Sequence, residues 1–160
     1  MRSTRAAHPT RSTRSPAVCD LLEPRTLLAA ALLKDINTHS PSSNPHTFVD
    51  LNGTLLFRAN DGVHGEEWWR SDGTPQGTHL LKDIDPRASE SRTFPAPRTA
   101  AVASGRMFFA GYTPATGTEL WATDGTEAGT AMVKDLTPGT ASGAPYDFVA
   151  RGDTVFFAAG

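Results

Sequence analysis

Two glutamates and two aspartates are the side chains of this chain best placed to do chemistry. Glu67 and Glu119 each stand two residues before a tryptophan, Trp69 and Trp121, and five before an aspartate, Asp72 and Asp124, that opens an Asp-Gly-Thr turn. A carboxylate pair about 5–10 Å apart around one sugar is what glycoside hydrolysis requires. Turn aspartates also offer oxygens to calcium, which takes about six to eight of them. Solvent-exposed tryptophans bind glycans by stacking on sugar rings. Each feature has a structural counterpart. An Asp at a turn bonds its own backbone two residues on, while the Gly takes positive φ. A tryptophan on a strand packs against its neighbours.

Only one carboxylate stands in each turn, too few for an evident cation site, so Asp72 and Asp124 are read as turn formers and calcium there is left open. Glu67 and Glu119 occupy equivalent places in two copies of one pattern, and a residue kept in every copy serves the copy. His8, His39, His46, His64 and His79 form no ligand spacing. There is no phosphate-binding Gly loop, nucleophile elbow or Cys pair. The sequence therefore assigns no catalytic, cofactor-binding or metal residue and implies no cofactor.

These residues are positioned by a block that recurs. Residues 65–84, GEEWWRSDGTPQGTHLLKDI, return at 117–136 as GTELWATDGTEAGTAMVKDL, identical at 10 of 20 positions and offset by 52. Lys34-Asp35-Ile36 supplies a third copy of the Lys-Asp ending, and Phe57, Phe109 and Phe157 mark a second register. Self-similarity at this period signals a repeat architecture. The period varies by four residues, and the extra length falls between Asp85 and Thr99, as a surface loop allows.

Within one period four short strands are predicted. Phe48–Leu51 and Thr54–Ala59 flank Asn52-Gly53, which suits a two-residue type I′ turn; Ser104-Gly105 and Gly152-Asp153 hold the same place in the other copies. A third strand over Glu67–Ser71 places Trp69 on the face of Glu67 and Trp68 on the other. A fourth over Thr78–Lys82 brings Leu80-Leu81, matched by Met132-Val133, apolar on both faces as in a strand buried on both sides. The expectation is an all-β fold of propeller-like, four-stranded antiparallel blades of about 50 residues in an incomplete ring. Ala30–Ile36 aligns with Thr78–Ile84 as a terminal strand, followed by blade 1 at about 48–84, blade 2 at about 100–136 and a partial blade at 148–160. Closed propellers hold about four to eight blades, so the chain is expected to be the N-terminal piece of a longer array or a truncated product.

Glu119-Leu120-Trp121-Ala122-Thr123-Asp124-Gly125-Thr126 resembles the ELWxxDGT repeat of bacterial surface and secreted proteins. Glu67–Thr74 resembles it too, with Trp68 for Leu and Ser71 for Thr. The resemblance covers roughly residues 30–160 and implies a propeller-like β architecture with no established catalytic residues.

Residues 1–34 carry a net charge of +4 and the remainder −6. An acidic body argues against a nucleic-acid surface. No stretch reaches the roughly 18 apolar residues of a membrane span. Residues 1–29 read as a basic, disordered leader. Within it Leu22-Glu23-Pro24-Arg25-Thr26-Leu27-Leu28-Ala29-Ala30 resembles the LEPR-x-LL-(Ser/Ala)-Ala motif of planctomycete secreted and surface proteins, which implies export. The single Cys19 makes no internal disulfide, and no apolar segment precedes it as a lipid-attachment site would need. Together these features predict a secreted or cell-surface repeat protein, a non-enzymatic binding or structural scaffold for a surface polymer, glycan or protein partner. The alternative is the N-terminal part of a propeller-type hydrolase whose site lies in other blades. A polar cluster breaking the repeat symmetry at the central channel would distinguish it.

Overall fold

Asn52 and Gly53 both take positive φ, 55° and 83°, and so do Ser104 and Gly105, 49° and 71°. This is the type I′ geometry that matches strand twist, and it sets the first two hairpins of the chain. At the third, Gly152 alone has positive φ, 58°, as a type II′ turn with glycine first requires. The computed structural model describes residues 32–39, 42–87 and 99–160. The basic leader, the LEPR-type motif, Cys19 and most of the longer loop after Asp85 lie outside the described residues.

Among the described residues the protein is all-β, about 47% strand with no helix, and every pairing is antiparallel. Among these residues no helix is long and apolar enough to cross a membrane. The strands run β1 (His46–Leu51), β2 (Thr54–Asn60), β3 (Glu66–Ser71), β4 (His79–Leu80), β5 (Ala100–Ala103), β6 (Arg106–Thr113), β7 (Gly117–Thr123), β8 (Ala131–Lys134), β9 (Tyr146–Arg151) and β10 (Thr154–Ala158). They form two four-stranded sheets, β1-β2-β3-β4 and β5-β6-β7-β8, and a two-stranded sheet of β9 and β10, none of them closed.

The register repeats as well as the order. Phe57 stands opposite Trp69 and Phe109 opposite Trp121; Leu80 and Met132 flank those tryptophans on the far side. One face of the first sheet packs on the second. Leu51, Leu56, Trp68, Leu81 and Ile84 meet Met107, Phe109 and Trp121, with the Trp68 and Phe109 rings edge to face at 5.6 Å. The opposite face of the first sheet holds a smaller cluster of Phe57, Ala59 and Trp69, against which Ile36 and Leu80 pack.

The sheets are also joined by hydrogen bonds that run one way along the chain. Asn52 Nδ2 donates to Gly105 O at 3.3 Å, and Ser104 Oγ to Asp153 O at 3.3 Å. Lys34 Nζ donates to Thr78 O at 2.5 Å and Lys82 Nζ to Thr130 O at 2.8 Å. In each case a side chain of one unit reaches a carbonyl of the next.

Three expectations need correction. Residues 32–36 form no strand, although Lys34 and Ile36 make the contacts just given. A strand there needs a neighbouring strand to share its ladder, and none borders it among the described residues. The fourth strand of the first sheet is only His79–Leu80 rather than Thr78–Lys82; Leu81 N makes one more bond to Trp68 O, and further on Ile84 N and Asp85 N turn to the Glu67 carboxyl. Met132 and Val133 are exposed, not buried on both faces, because β8 is the edge strand of its sheet and side chains of no further strand cover it among the described residues.

Candidate functional site

In both Asp-Gly-Thr turns the aspartate is committed to its own loop. Asp72 Oδ1 accepts from Thr74 N at 2.9 Å and from Thr74 Oγ1 at 2.7 Å, and Asp124 Oδ1 does the same with Thr126 at 2.9 and 2.7 Å. The threonine hydroxyls in turn accept from Gly77 N and Gly129 N, both at 2.9 Å. The buried hydroxyl pairs Ser71–Thr78 and Thr123–Thr130, each at 2.7 Å, close the loop base. These bonds, the threonine hydroxyl foremost, hold both carboxyls below the ordinary range. Among the described residues no group of three or more His, Cys, Asp or Glu side chains is arranged to hold a metal ion. The melting temperature is expected to be the same in EGTA and in added calcium; a rise with calcium would restore the metal reading.

The loop glycines are fixed by this geometry. A Cβ on Gly77 or Gly129 would land on the Asp72 or Asp124 carboxylate. Gly129→Ala should therefore swing Asp124 off Thr126 and lower stability by about 1–2 kcal/mol in urea titration. In an Asp124→Ala background the same change should be nearly neutral, since the obstacle is gone. Equal costs in both backgrounds would show that the carboxylate is not what the glycine avoids.

Glu67 and Glu119 are buried and also serve their sheets. Glu67 Oε1 accepts from Ile84 N at 3.1 Å and Asp85 N at 2.6 Å. Glu119 Oε2 accepts from Leu136 N at 2.6 Å and its Oε1 from Gly143 N at 2.7 Å. Each carboxyl thus pins the segment that leaves its own sheet. Trp69 and Trp121 are only 6% and 8% exposed, so neither offers a face to a sugar ring.

A second group of polar residues is legible only where the copies differ. Arg58 is buried beside Trp68, its Nη2 donating to Glu66 O at 3.0 Å and its Nε paired with Glu66 Oε1 at 3.0 Å. His46 Nε2 lies 3.4 Å from Glu66 Oε2. Burial pushes the Arg58 guanidinium down from its ordinary value, and the Glu66 and Glu67 charges push it back up. Asp61 orients His64, accepting from its backbone N at 2.8 Å and facing its Nδ1 at 2.6 Å; the carboxylate raises the His64 imidazole above its ordinary value. Arg87 makes a two-point pair with Asp85, both bonds 2.7 Å, and lies 3.6 Å over the Tyr112 ring. Arg58, His64, Glu66, Trp68, Asp85 and Arg87, with Phe109, Gly111 and Tyr112, line a shallow solvent-open cleft of about 20 Å³, room for about one water.

In the second copy Ala110, Thr116, Thr118 and Leu120 occupy the places of Arg58, His64, Glu66 and Trp68. The cluster was missed because identities between the copies draw attention, whereas its signal lies in the differences. Comparison with known proteins gives no match: no family model matches the chain, nor does any curated protein or solved structure.

Proposed function

We propose that this chain is a secreted or cell-surface repeat protein, a non-enzymatic binding or structural scaffold whose four-stranded sheets are propeller-like blades of the ELWxxDGT type. The observation that carries this reading is the use made of the repeated polar residues. Asp72 and Asp124 hold the threonine of their own turn in the same way in both copies, and Glu67 and Glu119 each hold backbone amides of the segment leaving their sheet. A carboxyl so engaged supports the blade and presents no reacting atom to a substrate. The LEPR-type leader supports export, and the acidic body supports a partner other than nucleic acid, namely a surface polymer, glycan or protein.

The alternative, a propeller-type hydrolase, draws support from the cluster of Arg58, Glu66, His64, Asp85 and Arg87, which departs from the repeat as a site does. One experiment separates the two. The purified chain is offered a panel of cell-surface polysaccharides and proteins, and in parallel glycoside and peptide substrates. Saturable binding without turnover is the expected result. Turnover lost in His64→Ala and retained in Asp72→Ala would replace the scaffold by the hydrolase.

A further inference from the structure

Trp68 is 2% exposed, and its Nε1–H is buried without a hydrogen-bond partner among the described residues. A buried donor left so is costly, and native structures supply it with a water or a ligand atom. Trp69 and Trp121 share this state, but Trp68 differs in lining the cleft between the first two sheets. In the second copy Ala110, Thr118 and Leu120 stand where the first has Arg58, Glu66 and Trp68. The side chains that serve the sheets occur twice; the polar side chains of the cleft occur once.

Size and chemistry say what enters. Room for about one water, about 20 Å³, is also the room that one hydroxyl needs. Arg58 and Trp68 bring donors to the cleft, and Glu66 and Asp85 bring acceptors. A hydroxyl both donates and accepts, so it can meet the two kinds together. Each charge already has its opposite: Arg58 and Glu66 at 3.0 Å, Arg87 and Asp85 at 2.7 Å, His64 and Asp61 at 2.6 Å. An ionic ligand would break such a pair and leave one charge unmatched. Ile84 and Phe109 give the cleft an apolar wall, which suits the C–H edge of a sugar ring.

We infer that this cleft is a subsite for a neutral glycan, one of whose hydroxyls enters it, accepts the Trp68 indole N–H and donates to a carboxylate of the cleft. The hydroxyl takes the place of the one water the cleft can hold, and the rest of the sugar lies across the open mouth. This rests on the binding-scaffold reading and names the ligand class among those that reading allows.

The test titrates the full chain with neutral hexasaccharides of glucose, mannose and galactose, and with oligogalacturonate as the charged counterpart. Calorimetry gives binding, and NMR follows the indole N–H signals, that of Trp68 identified by its contact with the Phe109 ring. At least one neutral sugar is expected to bind saturably and to move the Trp68 signal with the same midpoint. Ala110→Leu fills the cleft from the second sheet, at a place where the first sheet carries the larger Arg58. It should weaken that binding by about tenfold, the order of one lost hydrogen bond. A Trp68 signal that meets water and is unmoved by millimolar sugar makes the cleft a hydration site and overturns the inference. So does sugar binding that leaves Trp68 still and survives Ala110→Leu, or tighter binding of oligogalacturonate than of every neutral sugar. In those cases capture of another surface polymer or protein keeps the scaffold reading, whereas release of reducing sugar would replace that reading by the hydrolase.

Discussion

Trp121→Ala is expected to cost about 3–5 kcal/mol of stability, the range for deleting a large buried aromatic, and to loosen the first two four-stranded sheets from each other. Trp121 belongs to the cluster in which residues of both sheets meet, with Leu51, Leu56, Trp68, Leu81 and Ile84 on one side and Met107 and Phe109 on the other. Its ring lies so close over Gly111 that a Cβ there would sit 2.6 Å from Trp121 Cδ1. At the equivalent place in the first sheet Ala59 is accommodated, and Trp69 belongs to a smaller cluster with fewer partners. Trp69→Ala should therefore cost clearly less than Trp121→Ala. Trp121 Nε1 is buried without a hydrogen-bond partner, so Trp121→Phe removes an unsatisfied donor along with part of the ring and should fall well short of the alanine cost. Urea midpoints of the three variants, with amide exchange across β2 and β6, give the comparison. Equal costs at Trp69 and Trp121 would mean that the sheets are not held together at this cluster.

The order of those two tryptophans could not be read from the sequence, which presents them as equivalent. What was legible was local. The hairpins at Asn52-Gly53 and Ser104-Gly105 follow from the positive φ their turns demand, and the third strand from alternation around Trp69 and Trp121. The fourth strand is shorter than its apolar run, and the chain just beyond that run turns to a side-chain acceptor. Leu81 N still bonds Trp68 O at 2.9 Å, but Ile84 N and Asp85 N go to the Glu67 carboxyl. Side-chain competition for backbone donors leaves no mark on hydrophobic periodicity. Burial failed at Met132 and Val133 for another reason, since a strand is covered only when a neighbour supplies the covering side chains. Of the site residues, the roles of Asp72 and Asp124 follow from turn chemistry alone. The Arg58 cluster depends on which side chains two sheets bring face to face, and that is a property of packing rather than of any one segment.

Glu67→Gln and Glu119→Gln, the same substitution at equivalent places, should have opposite consequences. Glu119 accepts one amide on each carboxyl oxygen. Glutamine there must turn its NH2 toward Leu136 N or Gly143 N, leaving a donor unsatisfied, at a cost of about 1–3 kcal/mol. The surroundings cannot yield easily, because even a Cβ on Gly143 would come within 2.9 Å of Glu119 Oε2. Glu67 places both of its bonds on Oε1, so a glutamine oxygen can accept both and its NH2 can occupy the position of Oε2. Burial raises the Glu67 carboxyl to about 7 from an ordinary 4.5, against the opposing pull of the Asp85 and Ile84 amides and of Arg58. With the folded value above the unfolded one, the folded chain holds the proton more tightly. The resulting stability is fully present below about 4.5 and is lost as pH rises through about 7. The full loss is on the order of 3 kcal/mol. Glu67→Gln keeps the neutral shape at every pH, so it should be near neutral at about pH 5 and more stable than the natural chain at about pH 8. Urea midpoints of both variants at the two pH values decide the matter. A Glu67→Gln chain that loses as much stability at the higher pH as Glu119→Gln does would show that the ionised carboxylate, and not its oxygen alone, holds residues 84 and 85 to the sheet.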